Sequence, residues 1–151
     1  MNGYSQLLRY FKQIGQPLVN TMTQGDISNI DLDRKNIFPL LHVSIGDASF
    51  PSPQVVRFNV EIACLDIRDI NKEINTDKYY GQDNEIDNLN NTLPVLNRIW
   101  ILMLQDFEEN DITASENPTL QQMLLTRKNL LDGWIMTFQV DVPNTDINLC
   151  Q

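Results

Sequence analysis

The chain has 151 residues, with 20 acidic and 11 basic side chains and one histidine, for a formal net charge of −9. That length carries one domain with a real core, and 42% hydrophobic residues is a globular rather than a disordered composition. The basic residues are scattered, so the chain lacks the clustered cations that a tight grip on nucleic-acid phosphates or an anionic membrane surface requires.

In chain order, Tyr4, Leu7, Leu8, Phe11 and Ile14 recur at helical spacing and predict a short amphipathic helix over 3–14, ended by Gly15 and Pro17. The start of the chain has no charged segment followed by an apolar core, so it does not read as a signal peptide. Residues 15–36 hold Gly15, Pro17, Gly25 and many small polar residues. They read as a connection, with Val19, Met22, Ile27, Ile30 and Leu32 as isolated apolar tacks.

From Ile37 the period becomes two. Leu41, Val43 and Ile45 face one way; Val56, Phe58, Val60, Ile62 and Cys64 repeat the pattern after the segment 46–54, which contains Pro51 and Pro53. Two alternating runs around a Gly/Pro loop predict an antiparallel hairpin over 37–66, with a long flexible or partner-binding tip. Residues 66–82 follow as a polar connection of about 17 residues, long for a compact domain, with Tyr79 and Tyr80 as candidate anchors.

A long helix is predicted over 83–109. Asp83, Glu85 and Asp87 suit the positive end of its dipole. Ile86, Leu89, Leu93, Leu96, Trp100, Met103 and Phe107 draw one apolar stripe. Val95, Ile99 and Leu102 widen it, and Ile101 and Leu104 form a surplus apolar side. Such a helix would be roughly 37 Å long at 1.5 Å per residue. Pro94 either kinks it near residues 90–94 or marks where the helix proper begins.

Glu108 to Pro118 reads as a loop, and a second hairpin is predicted over 119–143. Its turn is placed at 129–133, with Asp132-Gly133 as the tight element. Trp134, Met136, Phe138, Val140 and Val142 form the clearest strand, ended by Pro143 and followed by a polar tail at 144–151. The expected fold is therefore α+β in the order α-β-β-α-β-β: one domain over 1–151, an antiparallel sheet of two hairpins packed on a long central helix.

No chemistry stands out. His42, within a strand and without a Cys or Asp partner nearby, reads as structural. Cys64 and Cys150 make neither a disulfide framework nor a zinc set, and read as a buried thiol and an incidental tail thiol of a protein made in a reducing cytoplasm. Asp31 and Asp33 resemble the start of a calcium loop, but the glycine and the glutamate that such a loop needs are missing. The six glycines are dispersed, and no serine or cysteine stands in a nucleophile motif. The sequence thus predicts no catalytic, cofactor-binding or metal-binding residue and no enzyme. The longest apolar run, Ile99 to Leu104, is far too short to span a membrane. By alternation, Val55, Leu65, Met123, Leu125 and Ile135 point away from the helix-covered face. They are the candidate subunit contacts, because apolar residues on a sheet's second face need a second layer or a neighbour.

The segments NGYSQLLRYF, FNVEIACLD, DNLNNTLPVLNRIW and NLLDGWIMTFQVDVPN, in this order, resemble small virion proteins of tailed bacteriophages. The nearest type is the tail-terminator or tail-completion group of neck proteins. The resemblance implies a structural head–tail connector subunit, assembled in the host bacterial cytoplasm into a sixfold or twelvefold ring of the virion. Its neighbours would be portal, connector or tail-tube proteins, and DNA would pass through the lumen without specific binding. A net negative channel fits that passage. The segments 46–54 and 66–82 then become candidate lumen or neighbour contacts, through Asp47, Phe50, Asp69, Lys72, Lys78 and Tyr79. Pro94 inside the helix is not part of the expected family pattern. The competing reading is an acidic adaptor or inhibitor module that binds a basic protein.

Overall fold

The computed structural model describes residues 3–25, 38–68, 79, 84–109, 112–126 and 131–143, without the side chains of residues 125 and 126. Helix α1 (Gly3–Gly15) buries Leu7 and Phe11 and leaves Arg9 and Lys12 exposed, as its spacing predicts. A 3-10 turn at Gln16–Leu18, with Pro17 near its start, ends it.

Strand β1 (Thr21–Gln24) follows where the sequence predicts only a connection. Four residues are too few to show alternation. Pairing makes the strand: it runs parallel to Leu40–Val43, and the amides of Asn20 and Gly25 donate to Pro39 O at 3.1 Å and Val43 O at 3.0 Å. The neighbouring Phe38–Pro39 peptide is cis. The rest of the predicted connection, 26–37, lies outside the described residues.

Strands β2 (Leu40–Ser52) and β3 (Val55–Ile67) form the expected antiparallel hairpin. Its tip corrects the expectation of a long loop. The strands continue through 46–52 as a paired ribbon, with register shifts between Ile45 and Ala48 and between Ser49 and Ser52, and the turn is confined to Pro53 and Gln54. Pro51 fits inside β2 because β1 pairs only with Leu40–Val43, so the far part of that edge has no β1 amide or carbonyl to satisfy. The register shifts absorb the extra residues.

Helix α2 (Glu85–Glu109) is one helix with Pro94 inside it, so the alternative that it begins at Pro94 does not hold. Pro94 has no N–H to give to the carbonyl of Asn90. Beside that gap, Trp134 Nε1 donates to Leu89 O at 3.1 Å. The buried stripe is Asn88, Thr92, Leu96, Ile99, Met103 and Phe107, which corrects the predicted phase of the first turns. Ile86 is exposed, and two polar residues face inward in place of Leu89 and Leu93.

Beyond α2 come β4 (Thr113–Ala114), β5 (Thr119–Thr126) and β6 (Leu131–Pro143). The short β4 lies in the predicted loop and exists by pairing with Val140 and Asp141. Asp132 and Gly133 lie within β6 rather than in a turn. The sheet order is β1-β2-β3-β6, with β4 and β5 both on the remaining edge of β6. The fold is thus α+β, as expected, but the sheet is mixed, has six strands, and is not made of two hairpins alone.

Both helices contribute to one core with the inner sheet face. Leu7, Phe11, Leu96, Ile99, Met103 and Phe107 meet Val60, Ile62, Cys64, Phe138 and Val140. Each such large apolar side chain contributes roughly 1.5–3 kcal/mol by burial. Trp100 and Phe11 meet Phe138 edge-on at 5.5 and 6.2 Å between ring centroids. Tyr10 ties α1 to α2: its hydroxyl donates to Asp106 Oδ2 at 2.6 Å, and its ring lies 5.3 Å from that of Phe107. Burial first, then the hydrogen bond to Asp106 and its charge, pushes the Tyr10 phenol well above its ordinary range. On the opposite sheet face Phe38, Leu40, Ala63, Leu65 and Leu131 form a second, smaller apolar cluster.

Candidate interaction surface

The two ends of β3 and β6 differ in chemistry. At the end where β3 stops and β6 starts, Asp132 is wholly buried. Arg68 grips it with Nε to Oδ2 at 2.8 Å and Nη2 to Oδ1 at 2.9 Å, a bidentate pair, and also donates to Glu85 Oε2 at 2.8 Å. Asn88 Nδ2 donates to Asp132 Oδ2 at 3.3 Å and to Ile67 O at 3.1 Å. Asn84 Nδ2 reaches Ile67 O at 3.2 Å. Thr92 Oγ1 closes back on Asn88 O at 2.7 Å. The polar start of the α2 stripe exists to feed this cluster.

Gly133 belongs to the same place. A Cβ on it would lie 2.0 Å from the carbonyl oxygen of Cys64, so only glycine lets β6 sit this close to β3. An Asp-Gly pair therefore serves close strand packing and a buried carboxylate, not a turn. Arg68 and Asp132 are far apart in sequence, and no local pattern joins them. The only available signal was a pair of polar residues, Asn88 and Thr92, at helical spacing on the side that continues to Leu96.

His42 is buried at the β1–β2 seam. Its Nε2 donates to Gly25 O at 3.0 Å, and Thr23 Oγ1 lies 2.6 Å from Nδ1, within hydrogen-bond distance. Gly25 holds φ at 109°, which presents that carbonyl. Both ring nitrogens are thus engaged in holding β1 on β2. Cys64 is buried in the main core, and burial first, with the charge of Asp66 second, pushes its thiol up to about 12.

The candidate subunit contacts separate. Leu65 is wholly buried, so it offers nothing to a neighbour. Met123 and Ile135 are half-buried against the cluster around Leu65, which gives the second sheet face a core of its own. Val55 is half-buried at the other end of β3, opposite Pro143. The Leu125 side chain lies outside the described residues, as do Asp69, Lys72 and Lys78. Tyr79, expected to anchor a loop, is 80% exposed. Asp47 is exposed on the β2–β3 ribbon, and Phe50 on the same ribbon is 71% exposed.

β5 is the first strand of the hairpin predicted over 119–143, and it lies at an edge of the sheet. β5, TLQQMLLT, carries no charge and no proline, the residues that usually blunt a sheet edge. Leu120 and Leu124 on it are exposed, as are Ile86, Ile101 and Leu104 on α2. The surplus side predicted for the helix, Ile101 and Leu104, is therefore left partly exposed by the described residues.

Cavities open at two places bordered by described residues that bear on the argument. One of about 160 Å³ borders the Arg57–Asp141 pair, held at 2.7 and 3.0 Å. The other, about 360 Å³, lies between α1, β1 and β2, with Leu8, Met22 and Val43 beside Arg9 and Lys12. Among the described residues no group of three or more His, Cys, Asp or Glu side chains gathers as a metal site needs, and no helix is long and apolar enough to cross a membrane. No protein-family model matches the chain, and a search of curated proteins returns no match.

Proposed function

We propose that the chain is a structural subunit of a ring at the head–tail junction of a tailed bacteriophage, of the tail-terminator or neck type, surrounding the DNA channel. The observation that carries the reading is the outer edge of the sheet. β5 presents an uncharged strand edge with Leu120 and Leu124 exposed. An unblunted edge invites pairing with another chain, and a closed ring of like subunits removes such edges from solvent. The sequence resemblance supplies the place of the ring, and the net charge of −9 supports a lumen along which DNA slides without sticking. The partners on this reading are further copies of the chain and an adjacent portal, connector or tail-tube protein.

Negative-stain images of the purified protein test it. Rings with a central hole, six- or twelvefold, are expected, either alone or on addition of the portal or tail-tube partner. A one-to-one complex with a single soluble basic protein, and no rings under any condition, would replace this reading with that of an acidic adaptor.

A further inference from the structure

The β2–β3 ribbon and the α1–β1 cavity are opposite in charge and match in chemistry, an exposed aromatic and carboxylate on one and an apolar wall with two cations on the other. Phe50 stands 71% exposed near the end of the ribbon, and Pro51 after it restricts it to extended backbone. A large aromatic presented this way is preorganised for burial, and most of its surface is left uncovered by the described residues. Asp47, three residues earlier, is exposed and has no ion pair among the described residues.

The cavity of about 360 Å³ has the opposite character. Val43 is buried and Leu8 and Met22 are half-buried, giving it an apolar wall, while Arg9 and Lys12 stand exposed one helical turn apart on α1. Neither cation has an ion pair among the described residues, in a chain that carries 20 acidic side chains. A cavity of roughly 150 Å³ already accommodates a benzene ring, so a phenyl group fits this one with room for the flanking backbone. The ribbon cannot fill the cavity of its own chain. Val43 in the cavity wall and Phe50 lie on the same strand, seven residues apart, which is about 23 Å at 3.3 Å per residue.

We infer that the ribbon tip of one copy docks in the α1–β1 cavity of the next, with Phe50 against Leu8, Met22 and Val43 and Asp47 facing Arg9 and Lys12. The contact joins two different surfaces of the same chain. It is therefore head-to-tail and generates a ring when its rotation closes. The inference rests on the ring reading and specifies one of its joints.

Zero-length carbodiimide coupling, which joins a carboxylate to an amine in direct contact, tests the joint in an equal mixture of ordinary and nitrogen-15 protein. A cross-link between Asp47 and Lys12 carrying both isotopes is expected, and Phe50→Ser is expected to abolish it and to weaken association about tenfold or more. Arg9→Glu with Lys12→Glu is expected to weaken association likewise, and adding Asp47→Lys to that pair to restore it. At a dilution where both proteins are monomeric, Phe50→Ser is expected to keep the wild-type melting temperature, which separates loss of docking from loss of fold. Oligomers that form as before in Phe50→Ser, without a mixed-isotope Asp47–Lys12 product, overturn this joint and leave the ring reading standing. A protein that stays monomeric at every concentration and with every partner overturns both.

Discussion

At one end of strands β3 and β6, Arg68, Glu85, Asp132 and Asn88 are packed out of water, and Gly133 lets two backbones meet at a distance that forbids a side chain. At the other end the same hairpin runs on as an exposed ribbon carrying Phe50. The first end spends its polar groups inward, where each must be matched or the cost is large. The second places an aromatic outward, where it contributes nothing to the isolated fold. The two ends differ in what they do for the fold: one ties α2, β3 and β6 together, while the other leaves its aromatic outside the core, where the proposed joint would use it.

Mutations separate the two. Asp132→Ala leaves the Arg68 guanidinium buried without its bidentate partner, and it should cost about 3–5 kcal/mol, read as a fall of roughly 6–20 °C in Tm. Arg68→Met combined with Asp132→Leu and Glu85→Gln should recover much of that loss, because the shared cation and both carboxylates go together and no lone charge remains buried. A single Asp132→Ala variant that melts like the wild type would break the comparison at its firm end. Gly133→Ala forces β6 away from the Cys64 carbonyl and should cost about 3 kcal/mol, at the upper end for overpacking, measured by chemical denaturation.

A milder effect is expected at Cys64. With its thiol pushed up to about 12 it stays protonated through neutral and moderately alkaline pH, and it is buried besides. In a Cys150→Ser background, labelling by iodoacetamide at pH 8 should proceed only at the rate of unfolding. Labelling at the rate of a free peptide thiol would show that this part of the sheet opens readily. At exposed positions of the two surfaces, Phe50→Ser on the ribbon and Leu124→Lys on the β5 edge should each change stability by less than about 0.5 kcal/mol, while both reduce association in sedimentation measurements.

The two helices and the strands β3 and β6 were legible because each is long enough to repeat its period several times and buries one face. β1 and β4 were not, since two or four residues carry no period and become strands only by lying beside β2 and β6. The ribbon was read as a loop because Pro51 normally excludes a strand, a rule that relaxes at an edge. Asp132-Gly133 was read as a turn because that pair is a strong hairpin signal. Its real causes, the Cys64 carbonyl and the Arg68 guanidinium, are distant in sequence. The phase of α2 failed at Asn88 and Thr92 for the same reason. Asp47 and Phe50 enter through the resemblance alone, which makes 46–54 a contact segment; both are exposed on the ribbon.

Sedimentation velocity of the purified chain over a wide concentration range tests the central claim most directly. The 17.4 kDa chain should give way to one discrete larger species, a fixed multiple of that mass, which Phe50→Ser shifts back toward monomer. A single 17.4 kDa species at every concentration, unchanged by adding a portal or tail-tube partner, would contradict it.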